Sequence, residues 1–279
     1  MRRRPLKRAA PRMAGFAWLA SSVCAMAHGA TLAPAPRAAE TADVADARRL
    51  LATARMWAGK HRDDLARDAI RKGLLIAPGD PVLLAEQVRV LLRLGDAKGA
   101  QAALARLNAL APDAPDTRRA GDEFRVATSG REEMAQIRLL ARSGRADEAA
   151  RRIVVLFPHV APSGALGAEY YQIVANGPGG CEPALAALRR AVAADPSDSE
   201  AAFGLVRLLN QRSETRAEAN RLAWALVRRP DVDHGEAMSV WRRVLQSADN
   251  DPVYLDAIRA YLALVPDDSE FRDKATAME

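Results

Sequence analysis

Prolines return at a fixed interval along this chain. Pro78 and Pro112 lie 34 residues apart, as do Pro196 and Pro230, and Pro266 follows Pro230 by 36. Proline cannot continue a helical hydrogen-bond ladder, so each one marks the end of a helix and a turn into the next unit. Between the prolines the apolar residues recur every three to four positions, the period of an amphipathic helix. A chain built on such a period grows lengthwise by stacking, because one unit cannot bury its own apolar face.

Pro81–Asp113 shows how a unit is built. Asp80 followed by Pro81 is a cap with proline at the first helical position. A first helix, A, runs to about Leu94, and Gly95-Asp96 makes the turn. The second helix, B, places Ala100, Leu104 and Leu107 on one face. Ala66, Ala149 and Ala184 repeat the small residue at which the two helices approach closely, and Gly144 repeats Gly95. Ser197 to Glu200 has the spacing of a capping box. Thirty-four residues per helix-turn-helix is the period of the tetratricopeptide repeat. The expected fold is all-α: tetratricopeptide-type units stacked in a right-handed superhelix with the A helices on the concave side. About six units start near Ala47, Pro81, Gly130, Ala165, Ser199 and Gly235. An extra helical segment at 115–129 precedes the third. Residues 47–279 form the repeat domain, and 28–46, rich in Ala, Pro and Thr, read as a flexible leader.

Residues 1–27 read as a secretory signal peptide. Arg2, Arg3, Arg4, Lys7, Arg8 and Arg12 form a basic region without an acid. The apolar run Met13–Met26 is too short to span a bilayer, which takes about 20 residues, and Ala25-Met26-Ala27 supplies small residues for cleavage. This segment also explains the net charge of +6. Without its six cations the chain has 35 basic and 35 acidic residues. No uncompensated cation cluster is left for a phosphate backbone, so nucleic acid is not an expected partner. After cleavage only Cys181 remains, so no intrachain disulfide is expected.

No catalytic constellation is evident. His28, His61, His159 and His234 stand at no metal-ligand spacing from one another, so neither a metal nor a cofactor is expected. Asp63-Asp64, Glu132-Glu133 and Asp267-Asp268 fall at helix starts, where acids suit the helix dipole. Gly177-Pro178-Gly179-Gly180 lacks the Lys-Ser/Thr of a phosphate loop and reads as a turn. The expected activity is therefore binding. The ninth residue of a unit faces the groove in this repeat class. It is Arg55, Arg89, Arg138, Arg207 and Arg243 in five units and Ile173 in the other. Arg93 and Arg142 lie one turn further on. Such a ladder suits bidentate binding of carboxylates on a partner. The alternative is that each arginine pairs with an acid of a neighbouring helix. Tyr170-Tyr171 is either helix packing or a sugar-stacking pair, and Trp57, Trp224 and Trp241 read as packing.

The run GALGAEYYQIVANGPGGCEPALAALRRAVAADPSD (164–198) resembles the Leu-x-x-Glu-Tyr-Tyr-x-x-hydrophobic-Ala segment of the cellulose synthase operon C proteins. WAGKHRDDLARDAI, LAEQVRVLLRLGDAKGAQAALARLNALAPDAPD and ARSGRADEAARRIVVLF resemble that family's N-terminal repeats. Where the family usually carries Gly-Trp after the tyrosines, this chain has Gly180-Cys181. The resemblance implies a periplasmic scaffold for bacterial cellulose biosynthesis and export. Its partners would be other synthase subunits or envelope proteins, and β-1,4-glucan itself if the scaffold guides the polymer. Full-length members end in an outer-membrane β-barrel. No strand pattern of that kind occurs here, so the chain is expected to be a fragment of a longer protein. The competing expectation is a generic exported repeat adaptor in another envelope assembly system.

Overall fold

A computed structural model describes residues 36–248 and 251–279, with side chains from residue 43 onward. The expected signal peptide lies outside the described residues. Fourteen α-helices occur among those described, and no strand. The first three repeat pairs are α1 (Pro36–Gly59) with α2 (Asp63–Ile76), α3 (Pro81–Arg93) with α4 (Ala97–Leu110), and α6 (Arg131–Arg142) with α7 (Ala146–Leu156). The next three are α8 (Gly164–Ala175) with α9 (Cys181–Ala194), α10 (Ser199–Leu209) with α11 (Ser213–Val227), and α12 (His234–Gln246) with α13 (Leu255–Leu264). Helix α5 (Pro115–Thr128) stands between the second and third pairs, and α14 (Ser269–Met278) packs on α13.

Local chemistry accounts for most of these boundaries. The recurrent prolines fall just past the ends of α2, α4, α9, α11 and α13. The Asp80 carboxylate accepts from Val82 N and Leu83 N, ahead of Pro81. Gly95 (φ 77°) and Gly144 (φ 80°) take left-handed conformations that close α3 and α6. Asp96 N donates to Leu91 O and Arg145 N to Leu140 O, which satisfies the last carbonyls of those helices. Ala66, Ala100, Ala149 and Ala184 are all buried where A and B helices touch.

Three expectations need correction. Helix α1 begins at Pro36, so residues 36–46 are helical rather than a leader; the run from Ala38 to Ala47 holds no further proline to interrupt a ladder. The cap of α10 is Asp198, accepting from Ala201 N, because Ser197 turns its hydroxyl to Asp195 instead. Helix α5 is more than an insertion. Its Pro115 lies one period after Pro81, and Arg89 on α3 pairs with Glu123 on α5, 34 residues on. It therefore occupies the place of the next A helix, and the interval before α8 holds three helices instead of two.

The core is not uniform. From α8 to α14 the buried apolar residues form one continuous cluster, centred on Leu188, Phe203, Leu208, Trp241 and Phe271. The earlier pairs have smaller separate clusters. The turn of the superhelix also closes on itself. Lys60 Nζ donates to Pro230 O at 2.7 Å, and Arg55 on α1 pairs with Asp195 before α10 at 2.7 Å. Gly59 lies so close to Ser199 that a Cβ there would stand 2.8 Å from its hydroxyl oxygen. The first unit thus touches the fifth and sixth.

A charged cavity enclosed by the A helices

Closure of the superhelical turn leaves a cavity of about 690 Å³. Its wall comes from α1, α3, α5, α8, α9 and α10, with Arg138 from α6, His61 from the α1–α2 turn and the loops before α8 and α10. The A helices form most of the inner face, as the period predicts for this repeat class, and the B helix α9 adds Leu188, Ala191 and Ala194.

Of the groove arginines expected from the sequence, Arg55, Arg89, Arg93 and Arg138 line this cavity; Arg142, Arg207 and Arg243 do not. The lining arginines are already engaged. Arg55 bridges Asp195 (2.7 Å) and Glu86 (3.6 Å). Arg89 donates to Glu86 at 2.7 Å and to Glu123 at 3.1 Å. The other Glu123 oxygen accepts from Ser163 N and Oγ, at 2.9 and 3.1 Å. Arg93 pairs with Asp63 at 2.7 Å, and Arg138 grips Glu169 with two bonds of 2.6 and 2.7 Å. Outside the cavity, Arg207 lies 4.0 Å from Glu236. Arg142 and Arg243 are exposed and form no ion pair among the described residues.

Charge decides what this cavity suits. Arg55, Arg89, Arg93, Arg119 and Arg138 face seven carboxylates: Glu86, Asp116, Glu123, Glu169, Asp195, Asp198 and Glu200. The ladder is compensated, so its inner arginines are tied to neighbouring helices. That is the alternative the sequence left open. Burial alone would raise the Glu86 pKa, but Arg89, Arg55 and Arg93 together hold it below the ordinary carboxylate value. Glu200 goes the other way. Burial, and then the nearby Glu236, push its pKa up.

The two tyrosines divide between neighbouring cores. Tyr170 packs with the α6–α7 cluster, its ring edge-to-face with Phe157 at 5.8 Å. Tyr171 packs with the cluster that runs on to α14 and also reaches the cavity wall. Both phenols are half-buried, and burial raises both pKa values. Trp241 is fully buried and donates to Asn220 Oδ1 at 2.8 Å, with Trp224 stacked on it at 4.5 Å. Cys181, at the start of α9, is a free thiol packed against the same core.

Glu86, Glu123 and Glu169 carry as much of the cavity as the arginines do, and sequence reading missed them. One signal was available: Glu123 follows Arg89 by a full period, the offset at which stacked repeats bring equivalent helices into contact.

Fold and cavity together define an all-α tetratricopeptide-type repeat protein whose A helices enclose a compensated charge network. No protein-family model matches the chain. It is 32% identical over 81% of its length to cellulose synthase operon protein C of Xanthomonas axonopodis. It is 29% identical over 84% to the Salmonella typhimurium protein of that name, and 28% over 88% to that of Escherichia coli. Its fold matches the crystal structure of the flexible tandem repeat domain from the C component of bacterial cellulose synthase. There the TM-score is 0.55 and the identity 28%, over 82% of this chain and 94% of that one. Over its helical repeats this chain is therefore a relative of the cellulose synthase operon C proteins. It spans 15%, 19% and 21% of the Xanthomonas, Salmonella and Escherichia relatives.

Proposed function

We propose that this chain is a periplasmic scaffold that serves bacterial cellulose biosynthesis and export by holding protein partners rather than by catalysis. The observation that carries this reading is the likeness, in both sequence and fold, to the tandem repeat domain of a cellulose synthase component. No helix among the described residues is long and apolar enough to cross a membrane, which is compatible with an exported repeat domain.

The inner arginines are occupied by acids, so partner capture falls to those left outside the cavity. Arg142 and Arg243 are exposed, and Arg207 has only a long contact. Guanidinium groups without an internal partner are the ones able to take a carboxylate of another protein bidentately. Other synthase subunits or envelope proteins are the partner class, and glucan contact would fall to Tyr171 at the cavity wall.

The test is a pull-down from envelope extract with the chain as bait, and with cello-oligosaccharides as a second ligand. Charge reversal of Arg142, Arg207 and Arg243 together is expected to cut recovery of synthase subunits at least tenfold, with an unchanged circular-dichroism spectrum. Undiminished recovery removes the arginines from the interface. Recovery of an unrelated envelope assembly, with synthase subunits absent, favours the generic adaptor instead.

A further inference from the structure

No two histidines stand at metal-ligand spacing in the sequence, yet the closed turn brings one of them to two distant acids. His61 in the α1–α2 turn, Glu200 in the first turn of α10 and Glu236 in the first turn of α12 each offer a ligand atom, all within 4.8 Å of one another. We propose that these three side chains form a binding site for a divalent cation of the zinc class, which clamps the first repeat onto the fifth and sixth.

The geometry suits such an ion. His61 Nε2 lies 3.7 Å from Glu236 Oε2, too far for a hydrogen bond. Ligand atoms around tetrahedral zinc stand roughly 3.4 Å apart, given metal–ligand bonds of about 2.0–2.2 Å. Small rotations of three side chains would reach that spacing. One imidazole and two carboxylates leave a position for water, and the imidazole favours zinc over magnesium or calcium. The competing cations are placed elsewhere. Lys60 gives its ammonium to Pro230 O. Arg207 comes only to within 4.0 Å of the other carboxylate oxygen of Glu236, Oε1, and leaves Oε2 to the imidazole.

The backbone adds a second observation. His61 has φ 54°, the one non-glycine residue with positive φ among those described. Arg62 N donates to Trp57 O, closing α1 in the same way that the Gly95 turn closes α3. His61 thus occupies the position that holds Gly95 one period later, and Gly144 in the third pair. A histidine at a position where glycine is unstrained carries a conformational cost, a recurrent feature of functional sites.

That equivalence supplies the test. His61→Gly removes the imidazole while relaxing the turn, so its metal-free melting temperature should equal or exceed that of the unsubstituted chain. Isothermal titration of the chain with zinc chloride is expected to show one equivalent bound, with affinity at least tenfold lower in both His61→Gly and Glu236→Gln. Saturating zinc should raise the melting temperature of the unsubstituted chain more than that of either variant. No stoichiometric binding, equal affinity in the variants, an equal response to magnesium chloride, or binding without a rise in melting temperature would each overturn the proposal.

Discussion

The two ends of the stack are held together differently. From α8 to α14 the glue is apolar: Trp224, Trp241, Tyr261 and Phe271 follow one another at centroid distances of 4.5, 5.7 and 4.8 Å across α11 to α14. Around α3 and α5 the contact runs instead through Arg55, Glu86, Arg89, Glu123 and Ser163, with Glu86 and Glu123 only 6% exposed. Apolar contacts tolerate small displacements, whereas a buried ion network is stable only when every member is paired. The contrast teaches that a single repeat plan accepts either kind of interface. The charged one falls where the helices face the cavity rather than the apolar core.

The largest effect expected from breaking this comparison lies on the apolar side. Trp241→Ala should cost about 4 kcal/mol, since it empties the largest fully buried side chain and orphans the Asn220 acceptor. Denaturant unfolding followed by the remaining tryptophans would measure it, and a loss below about 1 kcal/mol would mean that α11 and α12 are not packed on this ring. On the charged side, Glu123→Ala should cost about 3 kcal/mol by leaving Arg89 short of an acceptor. Replacing Glu86, Arg89 and Glu123 together by Leu, Met and Leu should cost much less than that single change. The same melts decide it, and a triple variant weaker than Glu123→Ala would show the network to be net stabilising. The smallest effect is in pH. Glu86 has a folded-state pKa below its unfolded one, so its contribution is present above the unfolded value, near 4.3, and is lost as pH falls through the folded value. Amide-exchange protection factors in α3 and α5 should therefore fall in acid before those of α11 and α12, and an equal fall in both regions would erase the distinction.

Part of this arrangement was legible without the structure. The Asp80-Pro81 start, the turns at Gly95 and Gly144 and the buried alanines at A–B contacts all follow from residues and their spacing. The tyrosine pair was legible only in part. Adjacent aromatics on one helix point to different sides, but α8 lies between two cores, so both rings found packing partners. The arginine positions were legible too, whereas their neutralisation was not, because Glu169 lies on another helix and Asp195 in the α9–α10 turn, with no fixed offset from them.

The sequence by itself determined where most helices start and stop and the period on which the units repeat. Caps, prolines and left-handed glycines act on backbone groups a few residues away, so their effect is written locally. Only the tertiary structure decided that α5 takes the place of an A helix, which carboxylate neutralises which arginine, and that His61 meets Glu236. The superhelical turn closes through contacts such as Lys60 with Pro230, 170 residues apart. Closure of that kind depends on small rotations between successive units, which add up over the whole stack and are encoded in no single repeat.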